Sequence, residues 1–191
     1  MVINEKDVFN FFVQKIECGW CDVVIVINGK EISFCASYIG ENPLASLIDA
    51  CASLKDKFDE YEIFWEAEPG RMKIDMKLDE KGMLLFDIVR VDDESNEEKW
   101  SEIVPFDLVV NAITSEGFRI LNSYGLYGYR CSWQADIDFP LANLLNISGE
   151  CDEMYRENDR CTDVLKEIKV LQRHINRDNT IMCPRKPDRI A

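Results

Sequence analysis

The sequence predicts an α+β fold, with an antiparallel sheet of about five or six strands and helices packed on one face. Three observations predict it. Runs of alternating apolar and polar residues are separated by the turn dipeptides Asn28-Gly29 and Pro69-Gly70. Elsewhere, at 44–54 and 106–124, apolar residues recur at helical spacing instead. Finally, 191 residues with 47% hydrophobic content suffice for one core and exclude a disordered chain over most of the length.

Taken in order, Asn4 with Asp7 three residues on predicts a helix start, and Val8, Phe9, Phe12, Val13 and Ile16 then share a helical face that ends before Gly19. Val23, Ile25 and Ile27 alternate with Asp22, Val24 and Val26 up to Asn28-Gly29, whose residues suit the two positive φ angles of a type I′ turn. This hairpin pairs Ile25 with Ile32 and Val23 with Phe34 on one face, and Val26 with Glu31 and Val24 with Ser33 on the other. Asn42-Pro43 opens a helix carrying Leu44, Leu47, Ile48, Cys51 and Leu54, with Lys55 and Lys57 at its C-terminal end.

Tyr61, Ile63, Trp65 and Ala67 alternate with Glu60, Glu62, Phe64, Glu66 and Glu68, and beyond Pro69-Gly70 the residues Met72, Ile74, Met76 and Leu78 alternate with Arg71, Lys73, Asp75 and Lys77. A two-residue Pro69-Gly70 loop would set Glu68 against Arg71, Glu66 against Lys73, Glu62 against Lys77, Trp65 against Ile74 and Ile63 against Met76. Met83 to Val91, almost continuously apolar, reads as a central strand covered on both faces. A short strand at Trp100 to Val104 follows. Pro105 then begins a helix that Gly125 stops, and Leu126 to Ile137, rich in Tyr, Trp and Gly, reads as a further strand. Asp138-Phe139-Pro140 leads into a short helical turn with Leu144 and Leu145, Asp138 near its cap.

Residues 1–150 form a single α+β domain with 13 basic and 28 acidic side chains. Residues 151–191, with 9 and 8, are expected to form a helix from Thr162 to Ile175 and an extended tail. The net charge of -14 argues against nucleic-acid binding and for a basic protein partner. Neither a membrane span nor the basic-then-apolar order of a signal peptide is visible, so the chain reads as cytoplasmic.

The chemical motifs are sparse. Cys18-Gly19-Trp20-Cys21 has the spacing of a redox dithiol, but with a helix expected before it and a strand after it, the reverse of the order that activates such a thiol. Zinc would need Cys18 and Cys21 with Cys151, Cys161 or His174, which is one close ligand pair where a structural site shows two. His174, the single histidine, sits outside the expected core and makes a poor catalytic base. Asp136 and Asp138 share a face if extended, as acid/base pairs do, yet such spacings arise readily among 36 acids. No catalytic residue, metal or cofactor is expected, and all eight cysteines are expected to be reduced.

The remaining feature is the acidic surface. Glu60, Glu62, Glu66 and Glu68 surround Phe64 on one strand face, beside Val24 and Val26 if the hairpins are neighbours, and Asp92, Asp93, Glu94, Glu97 and Glu98 crowd a loop. Acids around apolar groups suit a steered protein interface. Three stretches carry a family resemblance: Phe34-Cys35-Ala36-Ser37-Tyr38 leading to Pro43-Leu44 and Leu47-Ile48; Trp65-Glu66-Ala67-Glu68-Pro69-Gly70; and Gly125, Gly128-Tyr129, Trp133 and Asp138-Phe139-Pro140. In these the chain resembles the small immunity proteins of bacterial polymorphic toxin and contact-dependent inhibition systems. The resemblance implies an acidic cytosolic α+β protein that neutralises a cognate toxin by binding it, and it transfers no functional residue. The alternative reading is a small-molecule-binding protein or enzyme with a pocket between sheet and helices lined by Trp65, Tyr127, Tyr129 and Trp133. A third is a homo-oligomeric subunit.

Overall fold

The structure, a computed structural model, describes residues 8–37, 39, 41–56, 60–67, 70–91, 97–133 and 138–149. These form β1 (Phe9–Glu17), β2 (Trp20–Ile27), β3 (Lys30–Ser37), α1 (Pro43–Lys55), β4 (Glu60–Glu66), β5 (Arg71–Leu78), β6 (Met83–Val91), β7 (Glu97–Pro105), α2 (Phe106–Trp133) and α3 (Leu141–Ile147). The α+β class holds, but the single sheet does not. The strands divide into two antiparallel meanders, β1-β2-β3 and β4-β5-β6-β7, with α1 between them in sequence. One isolated bridge, Ala36 to Ala67, joins the two sheets, and close by Phe34 and Trp65 stack at 5.3 Å between ring centroids.

The first element is a strand, not the expected helix. Phe9, Phe11 and Val13 face the core in strand alternation, and a bulge between Val13 and Lys15 shifts the phase so that Ile16 faces inward as well. That three-residue step from Val13 to Ile16 is what imitates helical spacing in the sequence. Aromatic and β-branched residues favour the strand. Cys18 and Gly19, with φ of 54° and 84°, make the tight turn, so the Cys18–Cys21 motif spans a hairpin between two strands instead of a helix-to-strand junction.

The Asn28-Gly29 hairpin has the predicted register throughout, with both turn residues at positive φ. The β4–β5 hairpin keeps the predicted faces but slides by two residues. Glu66 opposes Arg71, Phe64 opposes Lys73, Ile63 opposes Ile74 and Glu60 opposes Lys77, and the Ala67 N–H donates to the Gly70 carbonyl. Proline cannot take the positive φ that a type I′ turn needs at its first central position, so a Pro69-Gly70 turn would splay the strands. A two-residue slip leaves every side chain on its original face.

β6 lies between β5 and β7 as expected, but only Leu84, Phe86 and Ile88 are buried; its other face is half-exposed. β7 is longer than predicted and takes in Glu97 and Glu98. α2 starts at Phe106 and runs through a kink at Gly125 (φ 63°, ψ 175°) to Trp133, so 126–133 is helix where a strand was expected. Its Gly128, Tyr129 and Trp133 are buried at helical spacing. Asp138 does not cap α3; Pro140 occupies the N-cap, and Asp138 pairs with Arg130 at 3.2 Å. The expected tail, 151–191, lies outside the described residues.

Asn42 caps α1 as predicted, its Oδ1 accepting from the Ala45 N–H at 3.0 Å and from the Tyr129 hydroxyl at 2.7 Å. That hydroxyl ties α1 to α2. On its other side α2 holds the edge of β1. The buried Glu116 carboxylate (3% exposed) accepts from the Val13 N–H at 2.6 Å, Arg119 donates to the Val13 carbonyl at 2.5 Å and pairs with Glu116, and the Tyr124 hydroxyl accepts from the Ile16 N–H at 3.1 Å. Removing the acid strands both a buried donor and the guanidinium. Glu116→Ala is therefore expected to lower unfolding stability by about 3 kcal/mol in urea denaturation, and Glu116→Gln, which keeps an acceptor for Val13, by clearly less.

Candidate interaction face

Strand alternation places Glu60, Glu62, Phe64 and Glu66 of β4, Arg71, Lys73, Asp75 and Lys77 of β5, and Met83, Leu85, Asp87, Val89 and Val91 of β6 on the outer face of the four-stranded sheet, opposite the core. β7 adds Glu97, Lys99, Ser101 and Ile103. The registers align these into rows across the strands. One row reads Glu62, Asp75, Asp87, Ser101; the next, Phe64, Lys73, Val89, Lys99; another, Glu60, Lys77, Leu85, Ile103.

Phe64 is 43% exposed, and the Lys73 ammonium lies over its ring, 5.8 Å from the centroid. Lys73 also bridges Glu62 and Asp75, at 2.5 and 3.2 Å, and Lys77 reaches Glu60 at 3.3 Å. Hydrogen bonds from Glu62 and Asp75 raise the Lys73 pKa above the ordinary lysine value, keeping it charged. An open depression between β4 and β5 is lined by Glu60, Tyr61, Glu62, Lys73, Asp75 and Lys77. Above it, at the α1 end, the Phe64 N–H reaches the Glu41 carboxyl, whose pKa is raised chiefly by burial.

Of the residues singled out in the sequence, Glu60, Glu62, Phe64 and Glu66 come together as expected. Glu97 shares their face, but three strands away from Glu66, roughly 14 Å at ordinary strand spacing. Glu98 opposes Arg90 on the other face. Glu68, Asp92, Asp93 and Glu94 lie outside the described residues. Val24 and Val26 belong to the three-stranded sheet, separated from β4 by β3, and are not neighbours of Phe64. Two of the expected cations pair with shifted partners, Lys73 with Glu62 and Lys77 with Glu60, so the face is mixed in charge. The cations on β5 are readable in the sequence, but only the correct register sets Lys73 opposite Phe64.

The proposed pocket does not form from its four residues. Trp65, Tyr129 and Trp133 are fully buried, Trp65 donating to Ser46 Oγ at 2.7 Å and Tyr129 packed edge-on against Trp133 and Phe139, while Tyr127 is 72% exposed. Burial pushes the Tyr129 hydroxyl well above the ordinary tyrosine pKa. Cys18, Cys21, Cys51 and Cys131 are free thiols; Cys151, Cys161, His174 and Cys183 lie outside the described residues. Among the described residues no group of three or more His, Cys, Asp or Glu is placed to hold a metal ion, and no helix is long and apolar enough to cross a membrane.

Comparison of the chain with protein-family models, with curated proteins and with solved structures finds no match. The two thiols of the Cys18–Cys21 motif differ sharply. Cys18 is exposed, whereas Cys21 is buried and its pKa is raised far above the ordinary thiol value by desolvation; burial likewise lifts Cys51 to about 12. Alkylation of the native protein at pH 8, mapped by peptide mass spectrometry, should modify Cys18 first and leave Cys21 and Cys51 unmodified until denaturant is added.

Proposed function

We propose that the protein is a non-enzymatic binding protein that engages a basic protein partner through the β4–β5 half of this outer face, as an immunity protein engages its toxin. The observation that carries the reading is Phe64, a large aromatic side chain left 43% exposed in the middle of Glu60, Glu62 and Glu66. Isolated apolar residues on a surface are ordinary, but an aromatic anchor enclosed by charges has the form of an interface hot spot with a polar rim. The carboxylates steer a cationic partner over distances set by the Debye length, about 8 Å at physiological ionic strength, and the ring supplies area that resists dissociation.

A partner captured from the host, or the product of an adjacent toxin gene, provides the test. Glu60→Gln/Glu62→Gln/Glu66→Gln should slow association and flatten its dependence on salt while leaving folding intact, because exposed ion pairs contribute only about 0–1 kcal/mol each. Phe64→Ala should instead speed dissociation by about tenfold or more. A captured partner that is itself acidic, or rates unaltered in both variants, would refute the reading.

A further inference from the structure

The two hairpins of the three-stranded sheet turn in the same way. Cys18-Gly19 and Asn28-Gly29 each place two residues at positive φ, 54° and 84° in the first and 51° and 82° in the second. Asparagine tolerates this left-handed region at the first position, whereas cysteine has no preference for it, so the turn alone does not account for Cys18. Packing does not account for it either, since the side chain is exposed and takes no part in the core.

The same turn is held from the side by α2. The Gly19 N–H donates to the Ser132 carbonyl at 2.9 Å, filling one of the acceptors that the last turn of a helix leaves open. Cys18 immediately precedes the donor and Cys131 immediately precedes the acceptor, so this bond brings together two thiols far apart in sequence. The path through it caps the separation of their Cα atoms at roughly 11 Å, and a disulfide spans about 5.5–6 Å. The closure that remains falls on a hairpin tip and a helix end, the parts of each element that yield most easily. Cys131 is half-buried and Cys18 exposed, so a reagent from solution meets Cys18 first. The partner that sequence spacing suggests is less suited. Cys21 lies inward on β2, 2% exposed and opposite Ile16, its thiol held neutral by burial.

We propose that Cys18 and Cys131 form a redox latch, closed by a small-molecule disulfide of the glutathione type. Cys18 attacks one sulfur of the small disulfide and breaks its S–S bond; a mixed disulfide forms on Cys18 and one small thiolate leaves. Cys131 then attacks the Cys18 sulfur, the protein disulfide forms and the second small thiolate leaves. The protons lost by the two cysteines end on the two departing thiols, so the protein loses the two electrons that the small disulfide gains. The new bond ties the β1–β2 turn to the part of α2 beyond the Gly125 kink, which also carries Tyr129 and its hydrogen bond to the Asn42 cap of α1. The latch lies on the three-stranded sheet and α2, and is independent of the β4–β5 reading.

The test uses the full reduced chain incubated with oxidised glutathione. Peptide mapping without reduction should show Cys18 linked to Cys131, with the intact protein lighter by two hydrogens. A glutathione adduct at Cys18 should appear first and then decay. In Cys131→Ser that adduct should persist about tenfold longer, because the intramolecular attack is lost. The oxidised native chain should also unfold at a higher urea concentration than the reduced one, a shift absent from Cys131→Ser. An adduct that accumulates on Cys18 in the native chain, a link from Cys18 to any other cysteine or to a second copy, or an unchanged urea midpoint in the linked protein would overturn the proposal.

Discussion

Dividing the seven strands of the described residues between two sheets leaves four edge strands among them, and the backbone groups on those edges are the constraint to which the rest of the structure answers. At β1 the answer is α2. Glu116 and Arg119 take the N–H and carbonyl of Val13, and Tyr124 takes the Ile16 N–H, so the helix supplies as side chains what a further strand would supply as backbone. At the facing edges of β3 and β4, the bridge between Ala36 and Ala67 joins the sheets at one point, and the Glu41 carboxyl meets the Phe64 N–H further along. Near β7, Glu102 holds both Asn28 and Lys30 from the β2–β3 turn, which draws the hairpin tip of one sheet onto the edge of the other. Each tie joins residues distant in sequence, so the two sheets are fixed relative to each other by a few polar contacts around a shared apolar interior.

The parts of the fold legible in the sequence are those decided locally. Asn28-Gly29 settles its hairpin because both residues tolerate positive φ, and Asn42-Pro43 settles the start of α1 because cap and proline act on the same turn. The failures share a cause in features whose period is broken by something outside the local pattern. The bulge in β1 produces a three-residue step that helices also show. Gly125, a helix terminator by local chemistry, becomes a kink because Gly128, Tyr129 and Trp133 gain a buried face by continuing the helix, with Tyr129 bonded to Asn42 87 residues away. The buried Glu116 had no signal in the sequence, since its worth depends on an edge strand 103 residues distant.

For the candidate face, composition and alternation were enough to find Glu60, Glu62, Phe64 and Glu66, but not to find their neighbours. A slip of two residues preserves sides and changes every partner, so the expected pairings of Glu66 with Lys73 and Glu62 with Lys77 give way to a surface in which Lys73 serves Glu62, Asp75 and the Phe64 ring at once. The loop acids were grouped with them on charge alone. Strand pairing separates Glu97 from Glu98 onto opposite faces, which no count of carboxylates could anticipate.

The row Glu62, Asp75, Asp87 sets like charges directly across neighbouring strands, an arrangement that costs stability unless each carboxylate finds a counter-group. Lys73 meets this need for the first two, and the Ser101 hydroxyl for the third. Both solutions are partial, because one ammonium is shared between two acids and a neutral hydroxyl carries no charge. The face is thus electrostatically under-compensated in a defined line across the strands, and cationic side chains from outside would complete it in the same geometry that Lys73 uses from within. Under the proposed function, the charge that weakens the isolated sheet is the charge a basic partner would meet, and the aromatic ring beside it is the group such a partner would cover.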